Sequence, residues 1–345
     1  MGQIVITSPL EDEHLDRIRS ALPSGWQLLY EPDLLPPTRY VADHTGPAGF
    51  TRTAAQEGRF QALLVNADIL FDFPYSDRHP REYAPRARWI QTTSAGVGQA
   101  ARRLGIAPGD LIITTSSGVH ARPLAEFVFM VLLMAVKRHA LLARDQQARR
   151  WERFCADELT GKTLAIIGPG HIGREIARIA RTFDMTPVAM GRDNSASRAI
   201  ALGVDRLYVR DQLHDMLASA DALVVCAPHT PETENLIGAG EFQSIKRGAI
   251  FINIARGQLV DESALLAALR DGTVSFAGLD VFRSEPLSPE SPFWDMPNVL
   301  VNPHSASTSY LENGRIVDIF LHNLACFVED RIGDMRNVLD IERMY

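Results

Sequence analysis

Short apolar runs recur along the chain, separated by stretches whose apolar residues fall at helical spacing. In the first third these runs are Ile4-Val5-Ile6, Trp26 to Tyr30, Ala62-Leu63-Leu64-Val65, Trp89-Ile90-Gln91-Thr92 and Leu111-Ile112-Ile113-Thr114. Brief continuous apolar runs rich in β-branched residues have the pattern of strands buried on both faces. Glu11 to Leu22 reads as a helix between the first two runs. Residues 31 to 58, rich in Pro, Gly and Thr, read as a loop with at most one short helix. The alternation predicts a small parallel α/β domain ending near Ser117.

Ala125 to Ala143 is strongly helical and apolar almost all round, which predicts burial between domains or in a subunit interface. Strand patterns then resume at Thr163 to Ile167, Val188 to Met190, Ala222 to Cys226, Ala249 to Asn253, Val274 to Gly278 and Val299 to Asn302. Helices lie between them. One runs from Asp261 to Arg270, with Asp261 placed to cap its start and Gly272 just past its end. The pattern predicts a doubly wound sheet over roughly 118 to 311, with a binding crevice at the carboxyl ends of its strands. From Ser309 to Arg331 a final helix carries Val317, Phe320, Leu321, Leu324 and Val328 on one face, and its position suggests that it returns to complete the first domain.

Within the second domain, Gly168-Pro169-Gly170-His171-Ile172-Gly173 joins the strand Thr163 to Ile167 to an amphipathic helix marked by Ile172, Ile176, Ile179 and Phe183. A strand, a G-x-G-x-x-G turn and a helix in direct succession form a dinucleotide-binding fingerprint. Its glycines permit a tight turn and close backbone approach, and the helix start receives a pyrophosphate. Pro169 removes one amide donor, but ahead of the amides that carry most of that binding.

Three polar residues follow strands of the same domain: Arg256 after Ile252-Asn253-Ile254-Ala255, Glu285 after Gly278 to Phe282, and His304 after Val301-Asn302-Pro303. Alone, each reads as a surface Arg, a solvated Glu or a loop His. Their shared place at carboxyl strand ends, beside a dinucleotide motif, lets all three converge on one crevice.

Composition narrows the class. A chain of 345 residues with 46% hydrophobic and 22% charged residues has the make-up of an ordinary globular protein and is long enough for two cores. A net charge of −7 argues against a nucleic-acid partner. Cys155, Cys226 and Cys326 are far apart and lack metal-ligand spacing, so no metal site is expected. No basic segment precedes Gln3-Ile4-Val5-Ile6-Thr7, and the apolar run Phe127 to Val136 is too short to cross a bilayer. The expectation is a cytoplasmic protein without a membrane partner.

Taken with Asn253-Ile254-Ala255-Arg256-Gly257, Gly278-Leu279-Asp280-Val281-Phe282, Glu285-Pro286-Leu287, Asn302-Pro303-His304-Ser305-Ala306-Ser307 and Gln91-Thr92-Thr93-Ser94-Ala95-Gly96-Val97, the chain resembles a D-isomer-specific 2-hydroxyacid dehydrogenase over about 89 to 308. The resemblance implies a Rossmann-type coenzyme domain, 118–308, inserted into a smaller flavodoxin-like substrate domain, 1–117 and 309–345, both with parallel sheets. It implies hydride transfer between NAD(P)H and a small 2-keto or D-2-hydroxy acid of the glyoxylate or hydroxypyruvate kind. Arg256 resembles the substrate arginine, whose planar fork holds the carboxylate and keto oxygen. His304 resembles the acid/base, and Glu285 the carboxylate that orients it and raises its pKa. Asp280 resembles the residue that fixes the nicotinamide carboxamide.

The cofactor set implied is Gly168, Gly170, His171, Ile172, Gly173, Gly191, Arg192, Ala227, Pro228, Thr233, Ile254, Ala255, Arg256, Asp280, His304 and Ala306. Backbone amides of Ser94, Ala95, Gly96 and Val97 would cradle the substrate carboxylate, beside Arg256 and His304. The family's habit also implies hinges near Ser117 and Ser309 and a homodimer through the coenzyme domain, with the helix around Phe127 to Val136 as its apolar surface.

Two positions depart from the family pattern. Gly98 stands where an Asp or Asn usually follows the Gly-Val of the first-domain loop. Gly191, followed by Arg192, stands where a carboxylate would hold the ribose 2′-hydroxyl of NAD, which favours NADP(H) over NAD(H). Asp193, 20 residues past Gly173, is the alternative acid by spacing. The alternative function is a dinucleotide-sensing regulatory protein of the same fold that acts by binding partners.

Overall fold

The computed structural model describes residues 2–74 and 77–342. Residues 1, 75, 76 and 343–345, all within the expected substrate domain, lie outside the described residues. The chain divides into two compact units, one of residues 1–120 and 308–345 and one of residues 121–307.

The first unit begins β1 (Gly2–Ile6), α1 (Asp12–Ser20), β2 (Trp26–Leu29), α2 (Ala54–Val65), β3 (Ile69–Phe71), α3 (Pro80–Tyr83), β4 (Trp89–Gln91), α4 (Gly98–Arg103) and β5 (Ile112–Thr114). Its strands are parallel in the order β2-β1-β3-β4-β5, which is flavodoxin-like. Successive residues of the buried strands face opposite sides. Val5, Leu70, Ile90 and Ile113 meet Phe60 and Leu64 of α2, whereas Ile4, Ile6, Ile69, Phe71 and Trp89 form the other core. That second core is closed by Leu15 and Ile18 of α1 and by Ile316, Val317, Phe320 and Leu324 of the C-terminal helix Glu312–Val328. Trp89 stacks on Phe320 at 5.1 Å, so the last helix completes the first unit.

Ala62 to Val65, expected as a strand, is the last turn of α2, and the strand is Ile69–Phe71. A four-residue apolar run carries no periodicity that separates a strand from a buried helix end. The capping box at Thr53, which accepts from the Gln56 amide while the Gln56 side chain accepts from the Thr53 amide, was the signal for a helix.

The second unit contains α5 (Ala121–Val136), α6 (His139–Gln147), β6 (Thr163–Ile167), α7 (His171–Thr182), β7 (Thr186–Met190), α8 (Ala196–Leu202), β8 (Arg206–Tyr208), α9 (Leu213–Ser219), β9 (Ala222–Val225), α10 (Ala239–Ser244), β10 (Ala249–Asn253), α11 (Glu262–Asp271), β11 (Val274–Leu279) and β12 (Val299–Val301). The C-terminal helix of the first unit is α12. The parallel order β12-β11-β10-β9-β6-β7-β8 places the reversal of winding between β6 and β9. Leu164, Ile166, Val224, Ile250 and Ile252 face α5 and α7, while Ala165, Ile167, Leu223, Val225 and Phe251 face α9, α10 and α11.

The helix expected over Ala125 to Ala143 is two helices, because Arg138 adopts φ 55° and breaks the run. Its apolar side is filled within the second unit. Val128, Val131 and Leu132 belong to the core that α7 and the sheet share, and an added Cβ on Gly278 of β11 would lie 2.6 Å from Val131. That packing within the second unit accounts for the burial of Val128, Val131 and Leu132. After it, α6 buries none of its residues, and Leu142, Trp151 and Phe154 are exposed, Trp151 almost completely at 98%.

Candidate active site

Gly168 follows β6 directly with φ 95°, a conformation that side chains with a Cβ adopt only at a cost. A Cβ there would also sit 2.5 Å from the Ala227 Cα, so the turn presses against the end of β9. At Gly173 a Cβ would lie 2.8 Å from the Gly168 carbonyl. Helix α7 then starts at His171, with Gly170 as its cap residue, and its first amides have no partner inside the helix. Glycine is required by the backbone at both ends of the turn, which leaves a side-chain-free rim at a helix start. That rim fits a dinucleotide pyrophosphate.

At the end of β7 stand Gly191 and the exposed Arg192. Asp193 is engaged elsewhere: it accepts from the Ser195 amide at 3.2 Å and the Ser195 hydroxyl at 2.9 Å, and pairs with Arg198. Those hydrogen bonds, the hydroxyl's first, hold its carboxyl below the ordinary range. After β9, Thr233 Oγ1 donates to the Pro228 carbonyl at 2.8 Å and accepts from the Thr230 amide at 2.8 Å, folding the Ala227–Thr233 loop on itself.

The three polar residues come from the carboxyl ends of the neighbouring strands β10, β11 and β12. After β10, Asn253 sets the turn, its side chain accepting from the Ala255 amide and donating to the Arg256 carbonyl, both at 3.1 Å. Arg256 leaves this turn exposed, one guanidinium nitrogen 2.6 Å from the Ala255 carbonyl. The next residue, Gly257, has no room for a side chain, since a Cβ would fall 1.9 Å from the Phe282 carbonyl carbon. The β10 turn is thereby seated on the segment that carries Glu285.

Glu285 Oε1 accepts from the Phe282 amide at 2.9 Å, and Oε2 lies 2.8 Å from His304 Nδ1. Partial burial raises the carboxyl pKa. The hydrogen bonds from His304 and Phe282, with the charges of His304 and Arg256, outweigh it and leave the group below its ordinary value. His304 sits at φ 52°. Its loop is held by the buried Asp280, whose Oδ1 accepts from Asn302 Nδ2 at 2.6 Å and from the amides of Ser305 and Ala306 at 2.9 and 3.1 Å. The Asp280 carbonyl accepts from the His304 amide at 2.9 Å. Ile254 and Ala255 are buried beside Arg256.

One carboxylate thus faces an imidazole and feels a guanidinium, at strand ends that also carry the glycine turn. Asp280, Asn253 and Asn302 support this surface through their hydrogen bonds. Their signal in the sequence was a short polar residue closing an apolar strand, which side-chain type alone does not separate from an ordinary turn. In the first unit, Ser94–Val97 follows β4, with Val97 buried and Ser94 to Gly96 exposed. Among the described residues, no group of three His, Cys, Asp or Glu is placed to hold a metal ion, and no helix is long and apolar enough to cross a membrane.

Comparison with known proteins bears on this arrangement. Residues 129–306 match the family model described as D-isomer specific 2-hydroxyacid dehydrogenase, NAD binding domain. A glyoxylate reductase of Aeropyrum pernix is 33% identical over 264 residues, covering 72% of this chain and 76% of that protein. A D-isomer specific 2-hydroxyacid dehydrogenase family protein of Aeromonas salmonicida has a similar structure, with TM-score 0.77, 27% identity and 99% of both chains covered. A D-isomer specific 2-hydroxyacid dehydrogenase of Xanthobacter autotrophicus, solved with NADPH and MES, gives TM-score 0.74 at 25% identity, over 100% of this chain and 99% of that one. With these relatives and this arrangement of strand ends, the chain belongs to the D-isomer-specific 2-hydroxyacid dehydrogenases, NAD(P)-dependent oxidoreductases acting on a CH–OH group.

Proposed function

We propose that the protein reduces a small 2-keto acid of the glyoxylate or hydroxypyruvate class, with NADPH as the preferred hydride donor. The observation that carries this reading is the 2.8 Å contact between Glu285 and His304 Nδ1, beside Arg256. With Nδ1 held, the other imidazole nitrogen is free to give a proton to the keto oxygen. Arg256 binds the substrate carboxylate and keto oxygen through its planar fork. We infer that the amides of Ser94, Ala95, Gly96 and Val97 also bind the substrate carboxylate, so that the first unit is the substrate domain and the second the coenzyme domain. The bound dinucleotide supplies the hydride, and these residues supply alignment and charge.

Gly168, Gly170, His171, Ile172 and Gly173 hold the pyrophosphate in this reading. Ala227, Pro228, Thr233, Ile254, Ala255, Asp280 and Ala306 also hold the cofactor in this reading, Asp280 at the nicotinamide carboxamide. Arg192 meets the ribose 2′-phosphate beside Gly191. The commitment of Asp193 to Ser195 and Arg198 supports NADPH, because it occupies the one nearby acid that spacing offers to a ribose hydroxyl. The Xanthobacter relative is itself described in complex with NADPH.

We also propose a cytoplasmic homodimer joined through the coenzyme domain. The exposed Leu142, Trp151 and Phe154 support a surface that a second copy would cover.

Initial rates with glyoxylate, hydroxypyruvate and pyruvate, each with NADPH and NADH, test the reading. NADPH should give the higher kcat/KM by roughly ten- to a hundredfold, the worth of one charge-assisted contact. No oxidation of either cofactor by any 2-keto acid overturns the activity, and a clear NADH preference overturns the assignment of Gly191 and Arg192. Light scattering that finds a monomer at micromolar concentration removes the dimer.

A further inference from the structure

The chain turns sharply where β3 ends. Asp72 has φ 80°, a left-handed conformation that costs a residue with a side chain of order 1 kcal/mol or more. Neighbouring strands hold it there. Its amide donates to the Gln91 carbonyl at 2.6 Å, and its carbonyl accepts from Thr7 Oγ1 at 2.7 Å. The conformation turns the carboxylate toward the end of β4. Oδ2 accepts from Thr93 Oγ1 at 2.7 Å, while Oδ1 accepts from the amides of Phe73 at 2.9 Å and Thr93 at 3.4 Å.

Thr93 immediately precedes Ser94–Val97. A second set of bonds fixes the same stem: Thr92 Oγ1 donates to the Ser94 carbonyl at 2.7 Å, and Ser116 donates to the Thr92 carbonyl at 2.7 Å through Oγ and to the Ser94 carbonyl at 3.2 Å through its amide. Beyond the loop, Gly98 offers no side chain where the family pattern has Asp or Asn. The loop is therefore anchored at its entry.

We propose that Asp72 is a positioning residue: its carboxylate, acting through Thr93, sets Ser94–Val97 so that the loop amides meet the substrate carboxylate. This rests on the role given to that loop under the proposed function. The alternative is that Asp72 merely completes a tight turn. Glycine separates the two, because it accepts the left-handed conformation without strain and brings no carboxylate. Asparagine tolerates the same conformation, keeps an oxygen for the Phe73 and Thr93 amides, and can donate through its NH2 to Thr93 Oγ1.

The experiment compares Asp72→Gly, Asp72→Asn and Thr93→Val in the full-length protein. Loss of a hydrogen bond to a charged acceptor predicts that Asp72→Gly raises KM for the keto acid about tenfold or more, with kcat nearly unchanged and Tm unchanged or higher. Asp72→Asn should restore most of the lost affinity. Thr93→Val should match the glycine variant, and combining them should add little. Should the glycine variant not fold, the Thr93 variant decides alone, since it leaves the Asp72 backbone untouched. Backbone hydrogen exchange in the segment Thr92–Gly98 should quicken in both Asp72→Gly and Thr93→Val. A glycine variant with higher Tm, unchanged KM and unchanged exchange overturns the proposal. If the wild type reduces no 2-keto acid, the functional reading falls, while exchange still decides whether Asp72 holds the loop.

Discussion

Replacing Glu285 by Gln removes the charge facing His304 Nδ1 and leaves a side chain of the same size. The Phe282 amide, 2.9 Å from Oε1, keeps an acceptor, so the local backbone has no cause to move. What is lost is a charge-assisted hydrogen bond of 2.8 Å to the imidazolium form. Such a bond contributes about 1.5–3 kcal/mol, which corresponds to roughly a ten- to a hundredfold change in rate. The carboxylate also fixes the orientation of the ring. In the proposed reaction the ring gives its proton to the keto oxygen, so kcat/KM for the keto acid should fall by roughly ten- to a hundredfold while cofactor Kd stays close to that of the wild type. The assay is initial rate with subsaturating keto acid and saturating cofactor, beside a titration of cofactor binding. A kcat/KM equal to that of the wild type refutes the pairing.

Three further outcomes follow from the geometry. Gly168→Ala should lower dinucleotide affinity at least tenfold in fluorescence titration, because φ 95° and a Cβ 2.5 Å from the Ala227 Cα force the turn open; unchanged affinity contradicts the role of the turn. Arg256→Ala should cost a few kcal/mol in kcat/KM, on the order of a hundredfold or more, yet leave cofactor affinity nearly intact, and an equal loss of both would reassign the residue. Glu312 of α12 has Oε1 3.2 Å from His120 Nε2 and 3.6 Å from His44 Nε2 within the first unit. Burial raises its pKa, but the bonds and charges of both histidines outweigh it and bring the pKa down to about 2. The stability that Glu312 contributes is therefore present above the ordinary carboxylate range and lost as pH falls through about 2. Glu312→Gln should lower urea stability by up to about 3 kcal/mol near pH 6, with the two curves converging toward pH 2; parallel curves refute the ion-pair account.

Much of the fold was legible because a parallel sheet buries both faces of each strand, leaving β-branched runs such as Ile4-Val5-Ile6 and Thr163 to Ile167. The edge strand β8 was not. Arg206–Tyr208 has only three residues, and Arg206 is exposed. Ala62–Val65 was misread because the apolar end of α2 has no visible period. The apolar character of α5 was legible, but its cause was not, since the contact with Gly278 joins residues far apart in sequence. Arg256, Glu285 and His304 stood out because chemically distinctive residues end successive strands. Asp72 did not. Its role comes from a backbone dihedral and from a contact with Thr93, 21 residues later, and neither leaves a mark in the local pattern.

In the proposed reaction His304, held by Glu285, gives the proton to a 2-keto acid while Arg256 holds the acid in place. His304→Gln tests it most directly, through kcat and KM for the best keto acid and Kd for NADPH. General acid catalysis acts in the transition state alone, so kcat should fall about 10²- to 10⁴-fold while KM and cofactor Kd stay within a few-fold of wild type. A variant that keeps kcat within tenfold of the wild type, or that loses activity only through KM or cofactor affinity, would rule out His304 as the proton donor.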